Sequence, residues 1–102
     1  MSRSIIGSPA KLSTSKVSVP GGTTPTKLVD ARPGRHKVIL NLSNSGTSNS
    51  FYFGADSNVD ADNGFALVLG EMIELETEAE IWGVRPTASD PISVTIAETF
   101  DD

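Results

Sequence analysis

Residues 91–98 read PISVTIAE, and this stretch decides the fold. Ile92, Val94 and Ile96 occupy every second position, and the residues between them are small or polar. A period of two places alternate side chains on the same face of a β-strand. The stretch therefore predicts a strand that buries one face in a core and turns the other face away from it.

The same period recurs along most of the chain. In residues 35–42, Val38, Leu40 and Leu42 share one face of a predicted strand. No segment carries apolar residues at the i, i+3, i+4, i+7 spacing over the length of a helix. About six to eight short strands with turn residues between them predict an all-β fold, either an antiparallel β-sandwich or a jelly-roll-like small barrel. Further strands are predicted at residues 26–29, 51–54, 65–69, 71–77 and 80–85.

Turn residues separate these predicted strands. Pro33 and Gly34 stand just before the strand at 35–42, where proline cannot donate a hydrogen bond to a neighbouring strand. The dipeptide Asn63-Gly64 ends a polar connection and predicts a turn with positive φ. Both features favour antiparallel strands joined by short connections.

The N-terminal residues differ in composition from the rest of the chain. Fourteen of the first twenty-four residues are Ser, Thr, Gly or Pro. A segment with so little apolar material cannot fold alone. We therefore predict an extended arm over residues 1–24, with room for one strand at Ser15–Val19, and a β-sandwich domain over residues 25–102. A frayed terminus is the alternative interpretation of the arm.

Charge is divided unevenly between the two halves of the chain. Residues 1–50 hold seven Lys or Arg and one acidic residue, whereas residues 51–102 hold twelve acidic residues and one basic residue. This division favours a basic arm that lies on the acidic face of a neighbouring copy. Alternatively, the two halves interleave in one sheet and partly neutralise each other.

The side chains that catalysis needs are scarce. The chain has no cysteine and one histidine, His36, which we expect on the surface of a strand. Its serines do not form the Gly-x-Ser-x-Gly turn of a nucleophile elbow. We expect no enzyme and no cofactor. The net charge of −5 argues against nucleic-acid binding, and no apolar run is long enough for a membrane span or a signal peptide.

Residues 56–64 read DSNVDADNG and carry oxygen-bearing side chains at alternate positions. This is how a calcium loop places its ligands, so Asp56, Asn58, Asp60 and Asp62 are weak metal candidates. The closing glutamate and the flanking helices of an EF-hand are missing. We favour the alternative, a long connection whose Asp and Asn side chains satisfy their own backbone, and predict no metal site.

Several short segments between Gly34 and Glu98 form a pattern. They are RxxVxLNxxN at 35–44, FYFG at 51–54, NV at 58–59, NGxxLxxGE at 63–71, IWGV at 81–84 and IxVxI at 92–96. The pattern combines strands that carry an aromatic-Gly unit with an Asn-Gly turn and a Gly-Glu turn. This combination resembles the head decoration, cement and head-fibre proteins of bacteriophages. The resemblance does not cover the arm, and the acidic stretch at residues 71–80 departs from it.

The resemblance implies a β-sandwich that binds the outside of a phage capsid and stabilises it by bridging capsid subunits. The implied partners are the major capsid protein and further copies of the chain, with a trimer favoured, and neither nucleic acid nor a membrane. The protein would then be made in the host cytoplasm and reside on the virion surface. A tail, fibre or connector component of the virion is the alternative. A carbohydrate- or calcium-binding β module is a third interpretation.

The residues expected at an interface are of two kinds. The arm supplies an apolar pair and basic side chains, and aromatic side chains dominate the energy of many interfaces. For Tyr52 and Trp82, packing in the core is the alternative. The full set of candidates is Ile5, Ile6, Lys11, Lys16, Arg32, Arg35, Tyr52, Trp82 and Phe100.

Overall fold

The computed structural model describes residues 11–46 and 48–101 of the chain. Within these ranges the chain forms eight strands and no helix, which confirms the all-β prediction. No helix that could cross a membrane is therefore present in the described residues. The strands are β1 (Lys11–Val19), β2 (Gly22–Val29), β3 (Arg35–Leu42), β4 (Tyr52–Gly54), β5 (Phe65–Ala66), β6 (Met72–Leu75), β7 (Ile81–Arg85) and β8 (Ile92–Phe100).

The strands form two antiparallel sheets of four strands each, which pack together as a β-sandwich. Sheet 1 has the order β1-β8-β3-β6, and sheet 2 has the order β2-β7-β4-β5. Every connection except the one from β4 to β5 carries the chain from one sheet to the other. The predicted antiparallel sandwich is therefore confirmed.

The core lies between the sheets and is centred on the two strands with the clearest alternation. Val38 and Leu40 of β3 and Val94 and Ile96 of β8 are almost fully buried. Across the sheet, Leu40 lies opposite Ile96 and Val94 lies opposite Leu42. Sheet 2 contributes Leu28, Val29, Phe51 and Ile81 to the same apolar cluster. Burial of this alternating set is what fixes the register, since a shift by one residue would expose it.

Two of the predicted turns have a clear physical basis. Pro33 and Gly34 occupy the centre of a turn closed by the Arg35 amide, which donates to the Arg32 carbonyl at 3.2 Å. Gly34 has φ of +84°, the conformation that the third residue of a type II turn requires. Gly70, with φ of +88°, ends the β5–β6 connection in the same way.

The positive φ predicted for the Asn63-Gly64 turn is wrong. Among the described residues only Gly22, Gly34 and Gly70 have positive φ. Gly64 is required for space instead, because a Cβ there would lie 2.7 Å from the Cβ of Tyr52. The turn thus selects glycine through packing rather than through backbone conformation.

The predicted boundary between arm and sandwich is also corrected. Lys11–Val19 forms the nine-residue strand β1, which pairs with β8 along its whole length, and Val19 is fully buried. β2 begins at Gly22, before the predicted boundary. The Ser, Thr and Lys residues of β1 did not indicate a strand because they occupy an edge, where few side chains need to be apolar. Residues 1–10 of the predicted arm lie outside the described residues.

A buried arginine closes each end of the sandwich. At one end the Arg35 guanidinium donates to the carbonyls of Asp30, Thr77 and Ala79 and to the Glu98 carboxylate, the last at 2.8 Å. At the other end the Arg85 guanidinium donates to the carbonyls of Ser48, Ser50 and Asp90. It also donates to the Asp90 carboxylate. Both side chains are fully buried. Each guanidinium therefore ties together loops that are distant in sequence.

Candidate interaction surface

One side of the sandwich is less well covered than the other. There sheet 1 ends in β6, with four residues, and sheet 2 ends in β5, with two residues. Because these strands are short, they leave part of the interior uncovered at the margin of the sandwich. We call this margin the open side, and define it by β5, β6 and the β6–β7 connection.

A groove of about 210 Å³ lies on the open side. Its floor is apolar, because Phe53 of β4, Leu75 of β6 and Ile81 of β7 converge there from the two sheets. The groove reaches the surface of the protein next to the β6–β7 connection. It is lined by Phe53, Gly54, Ala55, Leu75, Thr77, Ala79, Glu80 and Ile81.

Phe65 extends this apolar surface outward. Its ring lies 5.3 Å from the ring of Phe53, at an angle of 41°, and its side chain is 61% exposed. The two residues are paired across β4 and β5, so both point toward the space between the sheets. Sheet 1 does not cover Phe65 because β6 ends that sheet. Val68 and Met72 nearby in the chain are also about half exposed.

The predicted interface residues do not form a single surface. Lys11, Arg32 and Phe100 meet at one end of sheet 1, where Lys11 pairs with Phe100 across β1 and β8. The Arg32 guanidinium carbon lies 3.9 Å from the centre of the Phe100 ring, and an Arg32 nitrogen lies 3.6 Å from the Glu98 carboxylate. Lys16 is exposed further along β1. The structure thus brings three of the candidates together at this end of sheet 1.

Tyr52 and Trp82 share the outer face of sheet 2, where both are partly buried. The Lys27 ammonium lies 5.5 Å from the centre of the Trp82 ring and 3.2 Å from the Asp30 carboxylate. Its hydrogen bond to Asp30 raises the pKa of Lys27 above its usual value. The Trp82 indole nitrogen is buried without a hydrogen-bond acceptor among the described residues. Both aromatics therefore lie outside the main core and remain candidates for an interface.

The prediction that Arg35 lies at an interface needs correction. Its side chain is fully buried, and its guanidinium donates hydrogen bonds to the Glu98 carboxylate and to three backbone carbonyls. The side chain can be buried because every acceptor around it comes from a loop or strand of the same chain. The predicted Ile5 and Ile6 lie outside the described residues.

The connection at residues 56–64 uses its polar side chains internally. The Asp60 carboxylate accepts hydrogen bonds from the amides of Asp62 and Asn63 at 2.9 and 3.0 Å, and the Asp56 carboxylate accepts one from the amide of Asn58. The Asn63 side chain bonds the backbone of Asn58 and Asp60. This is the favoured alternative of the prediction. No group of three or more His, Asp or Glu side chains within residues 11–46 and 48–101 is placed to hold a metal ion.

The basic and acidic halves of the sequence interleave within the folded chain. Ion pairs join Lys27 to Glu80, Lys37 to Glu74 and Arg35 to Glu98. His36 lies on the surface, as predicted, with Nε2 2.9 Å from the Asp101 carboxylate. Part of the charge division is therefore neutralised within one copy, which the second interpretation of the charge pattern anticipated.

Sequence reasoning missed the groove. Phe53 and Leu75 follow the strand alternation, whereas the adjacent Ile81 and Trp82 left open which of the two points inward. Nothing in the pattern showed that β5 would stop after two residues and leave the margin uncovered. The only signal was the acidic, glycine-poor stretch that follows β6, which is too polar to cover a core.

Comparison with known proteins gives a fold but no family. No protein-family model matches the chain, and no curated protein sequence is similar to it. A solved structure does share the fold, with a TM-score of 0.53 and 9% identity, covering 98% of this chain and 96% of the other. That structure is described as "Bacillus endospore appendages form a novel family of disulfide-linked pili".

Proposed function

We propose that this chain is a structural subunit of a virion, which binds the outside of a phage capsid and stabilises it by bridging capsid subunits. The observation that carries the proposal is the open side, where an apolar groove continues into the exposed ring of Phe65. Exposed apolar surface of this kind marks a site of protein contact. The chain is then expected to complete its burial against another protein.

Three further features support a structural role. We interpret the strand orders β1-β8-β3-β6 and β2-β7-β4-β5 as a double-sheet jelly roll, an architecture used by capsid domains. Of the sequence segments that resemble phage head proteins, those at 35–44, 51–54, 63–71, 81–84 and 92–96 include residues of β3, β4, β5, β7 and β8. The polar groups of the described loops bind each other rather than converging on a pocket. A scaffold therefore explains the arrangement better than catalysis does.

Co-sedimentation with empty shells of the virus's major capsid protein tests the proposal. The purified chain should pellet with the shells and raise the temperature at which they disassemble. A matched pair of variants locates the contact: Ala79→Arg places a charge in the groove, and Ala66→Arg places the same charge on the outer face of sheet 2. Only Ala79→Arg should weaken binding. A chain that stays in the supernatant at all concentrations would contradict the proposal.

A second candidate is a fibre built from copies of the chain. The likeness to the pilus structure, which extends over almost the whole of both chains, favours it. The neighbour is described as disulfide-linked, whereas this chain has no cysteine, so its copies would have to associate without covalent bonds. Electron microscopy of the purified chain alone separates the two candidates, since a fibre subunit forms filaments and a decoration protein does not.

A further inference from the structure

We propose that the groove on the open side binds the N-terminal segment Met1–Ala10 of a second copy of the chain, added as a strand along β6. This inference rests on the proposed structural role and names a partner for the groove. Four observations carry it: the free edge beside the groove, the composition of the segment, its reach, and the charges at the rim.

The groove lies beside an edge that can accept a strand. β6 pairs with β3 on one side and with no other strand of the described chain on the other. Its inward side chains, Ile73 and Leu75, pack against the core, and Leu75 lines the groove. A peptide that pairs with an edge strand places alternate side chains toward the interior. One such side chain would enter the groove between Leu75, Phe53 and Ile81.

The segment before β1 has the composition that this groove requires. Its two large aliphatic residues, Ile5 and Ile6, are adjacent and are flanked by the small residues Ser4 and Gly7. In an extended chain adjacent side chains point in opposite directions, so one isoleucine can enter the groove while the other faces outward. Ile is also among the residues that favour strands.

The reach of the segment favours a second copy over the same copy. β1 and β6 are the two opposite edges of sheet 1, about 14 Å apart at three strand spacings. Five residue steps join Ile6 to Lys11, where β1 begins, and they span at most about 17–18 Å when fully extended. Within one copy this length must also reverse direction around the ends of β8 and β3. A neighbouring copy imposes no such limit.

The charge around the groove is complementary to the segment. Glu76 and Glu78 are exposed in the β6–β7 connection, and Glu80, which also lies 3.6 Å from the Lys27 ammonium, lines the groove itself. Arg3 is the charged side chain of the segment, and it lies only two residues before Ile5. An extended segment with an isoleucine in the groove therefore brings its arginine to an acidic rim.

Cysteine cross-linking tests the contact directly, because the chain contains no cysteine of its own. Full-length chains carrying Ile5→Cys or Ile6→Cys are mixed separately with ¹⁵N-labelled chains carrying Ala79→Cys, and the mixtures are mildly oxidised. Ala79 is exposed and lines the groove. Chains carrying Ala66→Cys, on the outer face of the same sheet, serve as the control. The mass of the product identifies disulfides between a labelled and an unlabelled chain.

We expect mixed disulfides with Ala79→Cys at several times the yield obtained with Ala66→Cys. One of the two isoleucine positions should react more than the other, as the alternation of a strand requires. Equal yields at Ala79 and Ala66, or equal yields from Ile5 and Ile6, would overturn the proposal. So would a double variant, Ile6→Cys with Ala79→Cys, that closes within one chain at dilutions where the mixtures give no product.

The outcome is independent of the capsid. No shell is present in these mixtures, so cross-linking without shell binding would leave the contact between copies standing and contradict the decoration function. Shell binding without cross-linking would leave the decoration function standing and contradict the contact between copies.

Discussion

The two lateral sides of the sandwich differ in how completely their edge strands cover the core. On one side the edges are β1 and β2, with nine and eight residues, and Val19 at the end of β1 is fully buried. On the open side the edges are β5 and β6, with two and four residues, and Phe65 is largely exposed. The side bounded by β1 and β2 covers the core with residues of the same chain, whereas the open side leaves part of the core exposed to a partner.

The difference also bears on how copies avoid non-specific aggregation. A long exposed strand edge invites pairing with any other strand, and natural proteins shorten or charge such edges. β6 is short, and the connection after it carries the exposed carboxylates of Glu76 and Glu78. These features disfavour indiscriminate pairing while leaving the groove open to a segment that carries an apolar side chain and a positive charge.

Deleting β1 is the largest perturbation that the comparison suggests. Removal of residues 2–24 takes away β1 and the start of β2, and uncovers β8, whose Ile92 and Val94 pair with Val19 and Val17. We expect the truncated chain to lose its cooperative thermal transition in circular dichroism. Removal of residues 2–9 alone should leave the transition in place, because β1 begins at Lys11. A cooperative melt of the longer truncation would restore the original boundary between arm and domain.

A substitution of Arg35 tests how much the buried guanidinium, which binds the β6–β7 connection beside the groove, contributes to the stability of the fold. Its guanidinium holds the carbonyls of Thr77 and Ala79, which belong to the β6–β7 connection, against Glu98 of β8. Arg35→Met leaves the largely buried Glu98 carboxylate with only the longer 3.6 Å contact to Arg32, and removal of one member of a buried pair costs about 3–5 kcal/mol. Urea denaturation measures the change in the free energy of unfolding.

A nearby surface lysine provides the control for Arg35. Lys37 lies 3.2 Å from the Glu74 carboxylate on the surface of sheet 1. Lys37→Met should change the free energy of unfolding by about 1 kcal/mol or less, as expected of an exposed pair. Equal losses in the two variants would show that the burial of Arg35 carries no special stability.

The strands that the sequence predicted well are those whose own side chains form the core. β3, at 35–42, has the predicted bounds, β7 begins one residue later than predicted, and β8 differs from prediction by one residue at its start and two at its end. In these strands large apolar residues alternate strictly, so local pattern and tertiary burial agree. β1 was missed in part because its Ser and Thr residues are stabilised by pairing with β8, about eighty positions away in sequence.

The candidate site was harder to predict than the fold. Arg35 was expected on the surface because a charged residue is rarely buried without partners. Its acceptors are up to 63 positions away in sequence, and only the fold brings them together. The groove likewise depends on Phe53, Leu75 and Ile81, which belong to different strands. Alternation gives the direction of each side chain but not the place where a sheet ends.

Phe65→Ala should have a small effect on stability and should give the sharpest contrast between the two sides of the sandwich. Phe65→Ala removes the ring contact with Phe53, and an aromatic pair of this kind contributes about 1 kcal/mol. Phe51→Ala, by contrast, empties a site that is 1% exposed, and such a change costs about 3–5 kcal/mol. Both values follow from urea denaturation of the two variants. A loss at Phe65 as large as that at Phe51 would mean that the open side is already part of the core and needs no partner to cover it.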